Sequence, residues 1–152
     1  MKRIASKAAL LVALAGTATL LIAAAPADVA RSRIAGLREL GAAFKSVNDS
    51  LRGSEPPMIL IQISARQIHS AANEMPGWFP LGSGAESGVK TRARPEIWSQ
   101  PARFKATQDA FIAEAARFQA AVGTNNAAAI RAETMKLGAT CKACHDNFRQ
   151  PD

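Results

Sequence analysis

The chain has 152 residues, a formal charge of +7, only two cysteines and two histidines, and no tyrosine. That length allows one domain with a short targeting segment and excludes two enzymatic domains. An apolar share of 48% against 20% charged residues excludes wholesale disorder, and two cysteines are too few for a multi-bridge secreted scaffold or a Cys₄ zinc site.

Lys2, Arg3 and Lys7 open the chain with positive charge, and no charge follows from Ala8 to Ala25. Ala25-Pro26-Ala27 then places small residues at the two positions a signal peptidase reads, so residues 1–27 are expected to be a secretory signal cleaved after Ala27, directing the protein to the periplasm. An uncleaved membrane anchor is the rival reading, since this uncharged run just reaches spanning length; its Ala-rich character and the processing site favour cleavage. Removal leaves residues 28–152 as the domain, with a formal charge of +4 and no stable membrane span. A chain of that size can bury roughly two-thirds of the surface it exposes when unfolded. Its basic residues are scattered, which suits an acidic protein partner or an anionic surface and carries no nucleic-acid signature.

Four blocks then show apolar residues at helical spacing. The first holds Ile34, Leu37, Leu40, Phe44, Val47 and Leu51, with Gly53 as its stop signal. The second reads Met58, Ile61, Ala65, Ile68, Ala72 and Met75, with Ser54 as the expected N-cap and Pro56 and Pro57 in the first turn. Phe104, Phe111, Phe118 and Val122 mark the third, with Ser99 as its expected cap and Gly123 as its stop. The fourth runs from about Asn126 to Arg149 and carries Ile130, Leu137, Cys141, Cys144 and Phe148 on one face. No comparable stretch alternates with period two, so no strand is predicted. A long connection from Pro76 to Pro95 separates the second and third blocks, and the others are short. The pattern predicts an all-α fold, an antiparallel four-helix bundle with one longer crossover.

Cys141-Lys142-Ala143-Cys144-His145 reads as C-x-x-C-H, the attachment sequence of a c-type haem. Residues three apart share a helix face, so both thiols can reach the two vinyl groups on one edge of a porphyrin. The adjacent His145 can then give a ring nitrogen to the iron as the proximal axial ligand. Three other readings compete. A thioredoxin-like motif needs a βαβ context that is not visible. Zinc needs four ligands, and the only other histidine, His69, is far away in sequence. A Cys141–Cys144 disulfide leaves the adjacent histidine without a role.

These residues resemble the class II cytochromes c, the cytochrome c′ family, whose haem motif lies near the C-terminus on the fourth helix of a bundle. The likeness includes Cys141 through Arg149, Trp78-Phe79-Pro80-Leu81-Gly82-Ser83, Lys90 through Pro95-Glu96-Ile97-Trp98, and Phe104. The resemblance implies one covalent haem c tethered by Cys141 and Cys144. It also implies that Arg33 pairs with a haem propionate and that Leu37, four residues on, covers the distal face. Members with Met at that position hold a six-coordinate, low-spin iron. Leucine has no lone pair to offer, so a five-coordinate, high-spin iron is expected here, in an apolar pocket that favours NO or CO over anions. Met58, Met75 and His69 are the alternative sixth ligands. Met135, ten residues before His145 on the same helix, cannot reach the opposite haem face. Arg149 falls four residues after His145 and should raise the positive potential beside it, and Trp98 is expected to pack on haem or core. The run from Lys90 to Arg94 reads as a solvated loop.

Three functions follow from this reading: a periplasmic electron carrier meeting a redox partner protein, an NO-binding or NO-buffering protein, and a weak peroxidase or NO reductase. The last lacks a His or Arg beside Leu37 to assist peroxide cleavage, so the chain is expected not to be an enzyme. Family resemblance also implies a homodimer through the first two helices.

Overall fold

The computed structural model describes residues 24–151, so residues 1–23 of the expected signal lie outside the described residues. Four long helices form the bundle: α1 (Pro26–Ser50), α2 (Met58–Glu74), α4 (Pro101–Gly123) and α5 (Ala127–Phe148). A short helix, α3 (Glu96–Ser99), ends the crossover. α1 packs against α2, α2 against α4, and α4 against α5. The helix begins at Pro26, two residues before the expected domain boundary, where the missing proline N–H costs no helical bond.

The apolar stripes of the second, third and fourth blocks meet in one core. Ile61, Ala65, Ile68 and Ala72 of α2 face Phe111, Ala115, Phe118 and Val122 of α4, with Ile130 and Leu137 of α5 beside them. Each fully buried Ile, Leu or Phe contributes about 1.5–3 kcal/mol by leaving water. The first stripe behaves differently along its length. Val47 and Leu51 are buried in the core, whereas nearer the start the buried positions are Ala30 and Arg33.

The expected caps of two helices are corrected. Ser54 precedes α2 by too much: Pro57 occupies the N-cap position and no side chain caps that helix, so both prolines lie ahead of the first turn. Ser99 instead closes α3, and α4 is entered through Gln100 with Pro101 at the first helical position. α5 is capped by Asn126, whose Oδ1 accepts from the N–H groups of Ala128 (3.0 Å) and Ala129 (3.1 Å).

α5 and α1 are fastened at the end far from the cysteines. Arg131 of α5 donates to the carbonyls of Leu51 (2.9 Å) and Gly53 (3.2 Å). At Gly138 a Cβ would stand 3.2 Å from Phe44 Cζ, so glycine lets the α1 ring approach the α5 backbone. Toward the other end the crossover stands between the two helices. Its Phe79 stacks edge-on with Phe104 of α4 (4.9 Å), which stacks with Phe148 of α5 (5.0 Å). The crossover also makes an isolated antiparallel bridge, Ala93 with Arg149, where no strand pairing was expected.

One polar feature crosses the α4–α5 seam. Glu114 of α4, only 5% exposed, is paired with Arg117, and Glu133 of α5 with Lys136. The remaining oxygens, Glu114 Oε1 and Glu133 Oε2, are buried, no N–H group donates to them, and Glu114 lies close enough to Glu133 to act on its titration.

Candidate haem site

The last two turns of α5 hold the residues of the motif. Cys141 and Cys144 are half-buried and unbridged, three apart on one helix face. Cys141 packs against the main core, whose nearby fringe includes Leu40, Phe44, Trp78 and Phe79. Cys144 packs against a second cluster of Ile97, Phe104 and Phe148. The two sulfurs thus point into apolar surroundings from one edge, while His145 lies more exposed beside them.

Burial pushes both thiols up: Cys141 above the ordinary cysteine value, and Cys144 to about 11, with the neighbouring Cys141 adding to the effect. Near neutral pH both are therefore S–H groups, poor in thiolate and slow to oxidise. In the haem-free chain, alkylation by iodoacetamide at pH 8 is expected to run well below the rate of a free cysteine peptide and to climb with pH past the ordinary thiol range. A Cys144 that alkylates at the peptide rate contradicts the burial of its sulfur.

His145 is held below its ordinary value first by burial, then by the charges of Arg149 and Arg92, against which Asp146 acts. Its ring is thereby biased toward the neutral form that a metal ligand requires. Arg149 Nη1 lies 3.4 Å from His145 Nδ1, at the outer limit of a hydrogen bond. Arg149 thus stands beside the His145 ring.

Arg33 sits one turn before Leu37 and is 2% exposed. The expected propionate partner has its guanidinium turned to the crossover: Nη1 donates to Ser83 Oγ (2.8 Å) and the Trp78 carbonyl (3.3 Å), Nη2 to the Ser83 carbonyl (2.7 Å) and Thr91 Oγ1 (3.4 Å). It also lies 5.0 Å from the Phe79 ring centre and 5.9 Å from that of Trp98. Trp98 packs on the second apolar cluster and donates its indole N–H to the carbonyls of Phe79 (3.2 Å) and Pro80 (3.1 Å). Leu37 is 38% exposed, the one large apolar side chain of the α1 stripe that stands this open.

Of the alternative ligands, Met75 is buried in the main core and Met58 packs on its edge. Met135 is 73% exposed on α5. The backbone carbonyl of His69 accepts from Asn73 Nδ2 (2.9 Å) one turn along α2. Among the described residues no group of three or more His, Cys, Asp or Glu is gathered, which leaves zinc without a ligand set. The sequence placed Ser83 and Thr91 within the family likeness but gave them no role, since neither carries a periodicity to mark it.

The donor set fits a covalently bound haem. Two protonated thiols on one edge match two vinyl groups, since S–H adds across a C=C bond without an oxidant, and an adjacent imidazole supplies one nitrogen to iron. The surrounding Leu40, Phe79, Phe104 and Phe148 offer the apolar contact that a porphyrin face needs.

The family model described as cytochrome c′ matches residues 28–149. A cytochrome c′ from Alcaligenes xylosoxydans xylosoxydans is 34% identical over 128 residues, covering 84% of this chain and 97% of that protein. The crystal structure of cytochrome c′ from Thermochromatium tepidum aligns with a TM-score of 0.77 at 26% identity, over 84% of this chain and 98% of that one. A ferrous variant of the Alcaligenes xylosoxidans protein with bound NO aligns with a TM-score of 0.75 at 28% identity, over 85% and 98%.

Proposed function

The chain belongs to the cytochrome c′ family and carries one covalent haem c, and from that premise we propose that it is a periplasmic redox cytochrome whose iron keeps one axial position open to NO or CO. The observation that carries this reading is Leu37, an apolar, non-ligating and partly exposed side chain on α1, in the register that the family gives to the residue over the distal face.

Haem c supplies an iron that exchanges one electron and accepts a diatomic ligand. The chain's own groups set the terms. Cys141 and Cys144 would hold the haem, each through one C–S bond made by adding its S–H across a vinyl group. His145 would supply the imidazole nitrogen to the iron, leaving Nδ1 with its proton. Arg149 would then face an N–H rather than a lone pair and act on the ring by its positive charge, which would disfavour ferric iron and raise the reduction potential. Leu37 offers no lone pair and excludes anions, because an unpaired charge is costly in apolar surroundings. Arg33 is committed to the crossover and places no acid–base group beside Leu37, which supports a carrier or gas binder over an enzyme.

Export rests on residues 1–27. No helix of the described residues is long and apolar enough to cross a membrane. Pairing as a homodimer is supported by Ile59, Leu60 and Ile63, which α2 leaves exposed beside a groove of about 580 Å³ between α1 and α2. The redox partner is a protein that meets the haem edge.

The test is the optical spectrum of the exported protein, ferric and ferrous, with and without CO. A broad ferrous band that sharpens and shifts with CO is expected. Sharp ferrous bands indifferent to CO would overturn the open position and point to Met58, Met75 or His69 as sixth ligand.

A further inference from the structure

Arg33 is a buried cation whose nearest hydrogen-bond partners are all neutral. Taking a guanidinium out of water costs several kcal/mol unless its donors are satisfied, so the arrangement calls for an account. Burial lowers its proton affinity and Glu86 partly restores it, and arginine stays charged throughout. What the guanidinium does is fix a backbone. Between Trp78 and Ser83, the carbonyls of Trp78 and Ser83 accept from Arg33, and those of Phe79 and Pro80 accept from Trp98. Ser83 is fully buried; its hydroxyl accepts from Arg33 and donates to the Pro80 carbonyl (2.7 Å). The segment is held from both sides by donors that cannot reach two acceptors if it shifts.

The segment carries Trp78, and Trp78 touches α1. A Cβ on Gly36 would stand 3.0 Å from Trp78 Cη2 and 3.1 Å from Cζ2, so indole and helix backbone are already in contact at the residue next to Leu37. Any slackening of the segment moves the indole at that point.

Resting on the reading of an open iron beside Leu37, we propose that Arg33 is a positioning residue: through Ser83 it clasps the crossover to α1, seats Trp78 on Gly36, and so fixes the wall of the ligand-binding face. The fork of the guanidinium suits this role, since one head group spans a hydroxyl and two carbonyls.

The test compares the haem-loaded protein with S83A, R33Q, R33K and R33Q/S83A, each checked for helical content and a haem-stained band. S83A removes the hydroxyl of the clasp and leaves the Arg33 charge in place. CO association is expected to quicken roughly tenfold in S83A and R33Q, with the double variant no faster than R33Q. R33K, with one compact ammonium, is expected to restore little of the wild-type rate. Amide hydrogen exchange across residues 78–83 should speed up in the same variants, with or without CO. The midpoint potential of S83A should match wild type. A CO-responsive wild type with unchanged kinetics and exchange in S83A overturns the proposal alone. An R33Q variant that shifts the potential but not the CO rate also overturns it, by showing that Arg33 acts on the haem charge directly. A wild type indifferent to CO removes the open iron and the proposal with it. Should R33Q fail to fold, S83A still decides.

Discussion

Replacing Cys141 and Cys144 together with Ala is expected to abolish covalent haem, leaving no haem-stained band after denaturing electrophoresis. The two sulfurs are the only ones from cysteine in the chain, so no other residue can form the thioethers. Each single variant keeps one half-buried thiol, against a different apolar cluster, and is expected to retain a weaker band. The double variant should also lose thermal stability, because a tethered cofactor that binds only the folded chain stabilises it. A full-strength band in the double variant would refute attachment at this motif.

The largest expected effect on folding comes from Phe104→Ala, at about 3–5 kcal/mol. Phe104 is buried at the middle of a three-ring stack, with Phe79 at 4.9 Å on one side and Phe148 at 5.0 Å on the other. Truncation removes two edge-to-face contacts, each worth about 0.5–1.5 kcal/mol beyond the area buried, and leaves a cavity that three separate elements would have to collapse to fill. Phe148 closes the helix turn after His145, so the damage falls at the haem end of α5. Chemical denaturation with and without haem checks this. Phe104→Leu should cost less than half as much, and an Ala variant within about 1 kcal/mol of wild type would show that the stack bears little of the fold.

What the sequence made legible is what periodicity and short motifs encode. The stripes of α2, α4 and α5 are buried as their spacing predicts, because in a bundle each helix keeps one face to the core along its whole length. C-x-x-C-H is local, so its geometry follows from a helix alone. Arg33 lies on the first stripe yet is buried for a non-local reason: its acceptors are 45 to 58 residues away, and no pattern around Arg33 announces them. The same absence hid the role of Ser83, which stands between glycines in a segment without period. Caps failed at Ser54 and Ser99 because proline ahead of α2 and inside the first turn of α4 sets the backbone there, without a side-chain cap. Leu37 was legible as a stripe residue, but its partial exposure was not, since exposure depends on how the crossover is laid against α1.

Glu133 makes the haem-bearing helix sensitive to acid where it lies against α4. Glu114 leans on Arg117 and Glu133 on Lys136, each pair three residues apart on its own helix. The bond from Lys136, and then that from Glu114, hold the Glu133 carboxyl below the usual carboxylate range. The folded chain therefore keeps Glu133 ionised more readily than the unfolded chain does. Its contribution is complete above the ordinary carboxylate value of roughly 4.3 and drains away as the pH falls through the lower, folded value. Strong acid thus releases Glu133 from Lys136 on the haem-bearing helix, and neutral or alkaline surroundings leave that contribution at full strength.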